Sequence, residues 1–198
     1  DIGLPLMVLE LDKSYDIAIL EMGMSALGEI ETLVDIARPD MAVISNIGIC
    51  HIEHLKTREN ILKAKMEITT FFNENNVLAI NGDDDMLSKV SSNKFKVIKA
   101  GMNEEFDIYA KDVVVNQLSS DFTAVTPEGS IRLHLDMPGL HNVQNIMPDI
   151  AIARELGVTL EEMKDGLNNL EATSMRFEII DMKDYKVIDD SYNSSPIA

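Results

Sequence analysis

The stretch Met41–Ile80, MAVISNIGICHIEHLKTRENILKAKMEITTFFNENNVLAI, decides the fold. Its two ends, MAVIS at Met41–Ser45 and VLAI at Val77–Ile80, are short apolar runs that read as buried strands. Between them Ile61, Lys65, Ile68 and Phe72 recur at helical spacing, so the chain from Arg58 to about Asn73 reads as a long helix. A strand, an amphipathic helix and a second strand in succession are the working unit of an α/β sheet.

The same alternation extends outward on both sides. Upstream, Tyr15–Met22 (YDIAILEM) reads as a further buried strand, and Gly28–Ala37 as a helix closed by Arg38-Pro39. Downstream, Asn81-Gly82 ends a strand, a short helix starts near Asp84, and Phe95–Ile98 makes another strand. The character then changes. Asp107–Gln117, Asp121–Thr126 and Ile131–Met137 are β-rich runs separated by turn residues, the pattern of antiparallel strands added at an edge. Helical spacing returns from His141 to Leu156, with Gly157 as its C-cap. Thr159 followed by Glu162 is a capping-box signature for a last helix ending near Leu170. Phe177–Ile180 and Tyr185–Ile188 read as strands. The expected class is α/β: a mostly parallel mononucleotide-binding sheet flanked by helices, with a smaller antiparallel edge sheet.

Composition narrows the function. The 198 residues suit one domain, or one domain and a piece of another. With 45% hydrophobic and 26% charged residues the chain is globular in composition. No apolar run approaches the roughly 18–20 residues that span a bilayer, and Asp1–Glu10 lacks the features of a signal peptide. A formal net charge of −17 argues against a nucleic-acid partner. It leaves nucleotides open, since these also bind through Mg²⁺ and backbone amides. The single cysteine, Cys50, cannot form an internal disulfide. The expected setting is cytoplasmic, with no membrane contact.

Ligands of open α/β sheets bind beyond the carboxyl ends of the strands, and polar residues fall there. Glu21 ends the YDIAILEM run, while Asn46 and His51 follow MAVIS. A carboxylate and an imidazole at one crevice suit a divalent cation, Mg²⁺ in preference to Zn²⁺. A Glu21 that caps a helix and a His51 that packs on a loop explain the same residues equally well. The run His51-Ile52-Glu53-His54 offers a second pair, without a third ligand close by.

Lys65 shares its helix face with Ile61, Ile68 and Phe72, so it must snorkel, meet a carboxylate or lose its proton. A neutral amine can take up carbon dioxide as a carbamate and become an anionic ligand. Asn142 and Asn145 open the helix after Gly139, where an amide could read an adenine edge or serve only as a cap. Asp190, in Asp189-Asp190-Ser191-Tyr192-Asn193, could accept from a ribose hydroxyl, and an Asx turn would account for it too.

Taken in order, these stretches resemble the Mur ligase family. Glu21-Met-Gly-Met-Ser-Ala-Leu-Gly-Glu-Ile30 resembles a family run with a Glu ahead of Gly-Glu-Ile. Asn46-Ile-Gly-Ile-Cys-His51-Ile-Glu53 and Lys63-Ala-Lys65-Met-Glu67-Ile resemble its Asn…His-Leu-Glu…Lys-Ala-Lys-x-Glu-Ile signature. Gly139-x-His141-Asn142-x-x-Asn145 and Met175-Arg176-Phe177-Glu178 resemble two further blocks. Asp189-Asp190-Ser191-Tyr192-Asn193-x-x-Pro196 resembles the block of the branch that adds D-alanyl-D-alanine to UDP-N-acetylmuramoyl-tripeptide.

The resemblance implies ATP-dependent amide formation through an acyl phosphate, in a three-domain monomer. It implies Glu21, His51 and a carbamylated Lys65 as Mg²⁺ ligands, with Asn145 and Asn142 toward adenine, Asp190 at the ribose and Arg176 near the phosphates. Residues 1–173 would be the central ATP-binding domain and 174–198 the start of a C-terminal domain. The family's Gly-x-x-x-x-Gly-Lys-[Ser/Thr] loop does not occur in this sequence, so the resemblance further implies a fragment, inactive alone. Two departures stand out: Pro148 within the helix, at a cost of about 3 kcal/mol, and Ser194-Ser195 in place of the family's Ala-Asn. Rival readings are a folylpolyglutamate synthase, a lipid II amidating subunit, or a non-catalytic module of the same fold.

Overall fold

Val77–Asn81 (β2) is buried at every position, as a strand with neighbours on both edges and helices over both faces must be. A computed structural model of the chain describes residues 2–170, 178–189 and 191. In it β2 lies between β1 (Met41–Ile44) and β3 (Lys96–Gly101), parallel to each. The side chains of β2 alternate between two cores. Val77 and Ala79 face one that is completed by Val143, Met147, Ile150 and Ala151 of α5 (Leu140–Glu155). Leu78 and Ile80 face the other, with Ile30, Leu33 and Val34 of α2 (Glu29–Ala37) and Ile61 and Ala64 of α4 (Arg58–Met66). Two more helices lie on this side of the sequence, α1 (Gly3–Glu10) and the single-turn α3 (Ile52–Leu55).

The sheet continues past β3. β4 (Ile108–Val115) still runs parallel to β3, and β5 (Ser120–Thr126) and β6 (Gly129–Leu135) return antiparallel. The antiparallel strands thus extend the same six-stranded sheet, in the order β1 to β6. β5 and β6 alternate buried and less buried positions, as strands covered on one face do. α6 (Leu160–Asn168) follows, and then a separate two-stranded antiparallel sheet of β7 (Glu178–Asp181) and β8 (Lys186–Asp189).

The local punctuation matches its chemistry. Gly157 takes φ +82, and the Val158 N–H reaches back to the Ala153 carbonyl at 3.0 Å, a Schellman closure of α5. The Thr159 hydroxyl accepts the Glu162 N–H while the Glu162 carboxylate accepts the Thr159 N–H, so the capping box forms in full. Thr159→Ala is expected to destabilise the chain by about 1 kcal/mol, read as a lower urea midpoint. An unchanged midpoint would mean that α6 is held by packing alone.

Two expectations need correction. Tyr15–Met22 is not a strand. It pairs with nothing among the described residues, and Ile17 and Ile19 are 54% and 94% exposed. An apolar run becomes a strand only where a neighbour's backbone completes its ladder. The outer edge of β1, where such a strand would add, carries no partner among the described residues. The long helix from Arg58 also ends earlier than expected, at Met66, and passes through a 3₁₀ turn at Glu67–Thr69. Its side chains explain this: the Thr69 and Thr70 hydroxyls bond back to the Met66 and Glu67 carbonyls, competing with the helical pattern. Pro148 does not delay α5, which starts at Leu140 and runs on through it. Ser194-Ser195 lies outside the described residues.

Candidate functional site

Because β1, β2 and β3 are parallel, their carboxyl ends share one edge of the sheet. There the segments Ser45–His51, Gly82–Asp85 and Met102 emerge, and α4 and α5 meet them. The loop after β1 is held on successive backbone groups. The Lys65 amine donates to the Asn46 carbonyl at 2.7 Å. The Ile47 N–H donates to Asp84 at 2.8 Å, and the Ile47 carbonyl accepts from Arg58 at 3.0 Å. Ile47 itself is buried in the core, which fixes the loop from beneath.

Lys65 comes to this place through its helix face. Ile61, one turn before Lys65 on α4, is buried in the core, and Phe72, beyond the end of the helix, is buried in the same core. Among the described residues the amine meets no carboxylate within salt-bridge distance; it donates to a backbone carbonyl. Burial holds it below the ordinary lysine range, against the opposing pull of Cys50 and Asp84. A lysine so placed is more easily found neutral than an exposed one, and a neutral amine is the form that reacts with electrophiles such as carbon dioxide.

Asp84 is the anchor that sequence reasoning missed. Its carboxylate accepts the N–H groups of Ile47, Met86 and Leu87 at 2.8–2.9 Å, with 9% of the side chain exposed. Next to it Asp85 forms a two-bonded pair with Arg58, and each partner's pKa moves in the direction that keeps the pair charged. The acidic run Asp83-Asp84-Asp85 after a strand was visible, but nothing in it marks which carboxylate turns inward. Asp84→Ala leaves those amides without their acceptor. The chain should lose about 3 kcal/mol of stability, and amide exchange at Ile47 should quicken; protection unchanged at Ile47 would refute the assignment.

Asp83 ties the next strand and helix to the same edge. It accepts the Met102 N–H at 2.8 Å and the Gln144 side-chain amide at 3.3 Å. Asn145, half-buried, is the next residue of α5 after Gln144. Asn142 instead turns back and donates its side-chain amide to the Pro138 carbonyl at 2.8 Å, which ties the first turn of α5 to the chain ahead of it without capping it. His51 is exposed with φ +62 at the start of α3. Glu21 is exposed in the irregular segment between α1 and α2. The Glu29 carboxylate at the end of that segment is held below its usual range, first by the Ser25 and Ala26 N–H groups and, more weakly, by the charge of His51.

The pair His54 and Glu53, 3.4 Å apart, lies on the surface. Among the described residues no three His, Cys, Asp or Glu side chains group into a ready metal cage. Arg176 and Asp190 lie outside the described residues. Cavities of about 360 Å³ along Leu27–Ile36 and about 200 Å³ beside Lys96 and Arg154 include none of Lys65, Asn46 or Asp84. Among the described residues no helix is long and apolar enough to cross a membrane.

Known proteins share this fold. Residues 1–153 match the family model of the Mur ligase middle domain. A UDP-N-acetylmuramoyl-tripeptide–D-alanyl-D-alanine ligase of Bacillus subtilis is 39% identical over 196 residues, covering 98% of this chain and 42% of its own length. A crystal structure of MurF from Acinetobacter baumannii superposes with a TM-score of 0.93 at 32% identity, over 99% of this chain and 43% of that one. The MurF ligase of Thermotoga maritima, solved in complex with ADP, gives 0.85 at 32% identity, over 98% of this chain and 45% of that one. The chain thus spans less than half the length of these relatives. From its sheet, its strand-end loops and these likenesses, the chain belongs to the Mur ligase family and carries its middle domain.

Proposed function

We propose that this chain is the nucleotide-handling part of an ATP-dependent ligase that joins D-alanyl-D-alanine to UDP-N-acetylmuramoyl-tripeptide. The observation that carries this reading is the end-to-end likeness, at 39% identity, to a ligase of that name. Binding of ADP by the Thermotoga relative supports ATP as the co-substrate. In this reaction ATP phosphorylates the terminal carboxylate of the tripeptide, and the dipeptide amine displaces phosphate from the acyl phosphate. Such chemistry depends on positioning and charge stabilisation, and the strand-end edge supplies both a rigid frame and polar groups.

What supports a divalent cation here is a partly buried amine of lowered basicity that meets the loop after β1 at the strand-end edge. Glu21, His51 and Lys65, the last as a carbamate, would hold Mg²⁺, which would offset charge on the phosphates. Asn145 would contact adenine, with Asn142 shaping the turn beside it. Asp190 would meet the ribose and Arg176 the phosphates. The central domain would run to residue 173, and β7–β8 would open the domain that follows; their separation from the main sheet supports that division. The whole protein would act as a cytoplasmic monomer, without nucleic-acid or membrane partners.

The deciding experiment is phosphate release by the full-length protein with ATP, UDP-N-acetylmuramoyl-tripeptide and D-alanyl-D-alanine. Release that needs both acceptor substrates is expected. ATP turnover with neither, or turnover only with another carboxylate acceptor, would overturn the reading.

A further inference from the structure

Glu67 closes α4 and opens the 3₁₀ turn Glu67–Thr69, but its carboxylate belongs to another element. It accepts the Gly28 N–H with both oxygens, at 2.8 and 2.9 Å, and the Glu31 N–H at 3.3 Å. Those are donors at the entrance of α2. The residue at the N-cap, Gly28, has φ +86 and no side chain with which to cap. The nearest local acid, Glu29, is turned the other way, onto the Ser25 N–H at 2.6 Å. Where stability of a helix is all that matters, Ser, Thr, Asp or Asn at the N-cap supplies it locally. Here a carboxylate from a different helix does so, gaining from the α2 dipole and from charge-assisted bonds.

The consequence is a mechanical link. Residues 21–28 lead from Glu21 into α2, and Glu67 holds their far end to α4. Two residues before Glu67, on the same helix, Lys65 holds the loop after β1 through the Asn46 carbonyl. One short stretch at the end of α4 therefore grips two segments, residues 21–28 and the loop after β1, each by a backbone group.

We infer that Glu67 is a positioning residue, which holds the Glu21-bearing segment in register with Lys65 and thereby sets the affinity of the site for a divalent cation. This rests on the ligase reading for the identity of the site. It adds a residue that touches neither nucleotide nor cation.

The test uses the full-length protein with Mn²⁺ as the probe in the presence of ADP, read by electron paramagnetic resonance. Glu67→Ala should weaken Mn²⁺ binding by about tenfold, as loss of an outer support does at other metal sites, and should quicken amide exchange at Gly28 and Glu31. Glu67→Gln, which keeps an acceptor oxygen, should recover most of the affinity. Thr159→Ala, far along the chain in α6, should leave Mn²⁺ binding unchanged and so separates positioning from general stability. In turnover, Glu67→Ala should raise the Mg²⁺ concentration for half-maximal rate, with kcat at saturating Mg²⁺ within about twofold of wild type, the mark of lost binding in place of lost chemistry. Faster exchange with unchanged Mn²⁺ affinity would reduce Glu67 to a helix cap and overturn the inference. So would unchanged exchange at Gly28. A wild-type protein that binds Mn²⁺ but does not ligate would defeat the ligase reading alone, and the Glu67 titration would still decide this one.

Discussion

Lys65→Ala in the full-length protein is expected to lower ligation by about 10³-fold, the scale of losing one preorganised charge-stabilising group, while the folded chain persists. The reason lies in the division of labour on α4. Ile61 and Ala64 keep the helix in the core, and Arg58 and Asp84 still hold Ile47 by its backbone. The loop after β1 would therefore stay in place with the amine removed. Lys65→Arg should not rescue. A guanidinium stays charged at all working pH values and cannot form the carbamate, although it could still donate to the Asn46 carbonyl. Steady-state ligation rates for the two variants, with urea midpoints alongside, decide the matter. Rescue by arginine would show that Lys65 acts as a cation and would remove the carbamate from the proposal.

The largest expected loss of stability is at Phe122→Ala, about 3–5 kcal/mol. Phe122 is fully buried in the middle of β5 and lies opposite Leu133 of β6, within the core that α5 and α6 close. Removing a ring there leaves a cavity that flanking strands, fixed by their ladders, cannot fill. Small domains hold only about 5–15 kcal/mol in total, so a chain with this change should be near the limit of folding. Urea denaturation of the 198-residue chain measures it; a change below about 1 kcal/mol would mean the side chain is not packed as described.

What could be read from the sequence divides by the range of the interaction. Thr159 with Glu162, Gly157 after α5, and the apolar run of β2 are written in adjacent residues, and each takes its expected form. Lys65 was legible in part: Ile61, one turn before it on α4, is buried, whereas Phe72, also buried, lies beyond the helix expected to carry it. The lysine's partner was not legible, because a loop carbonyl has no letter in the sequence. Asp84 and Glu67 escaped for the same reason. Both are carboxylates whose partners are backbone N–H groups on other elements, and an acidic residue looks the same whether it faces water or a distant amide. Tyr15–Met22 shows the converse limit. Its apolar letters announce a strand, but a strand is a property of two segments, and only one is among those described here.

The strands of the six-stranded sheet are laid down in chain order, each beside the one before it. This gives the molecule an order of assembly. From β3 to β6 each pairing closes a short loop, and short loops form early, whereas β1 and β2 are joined only across α3 and α4. The sheet can grow strand by strand as synthesis proceeds, each new strand finding its template already present. α5 breaks this locality, because it arrives after β6 and packs back across β1, β2 and β3. Its docking is the step that joins late chain to early chain, and it brings Gln144 to Asp83 at the strand-end edge. The strand-end edge is thus joined by a helix whose sequence lies beyond all six strands.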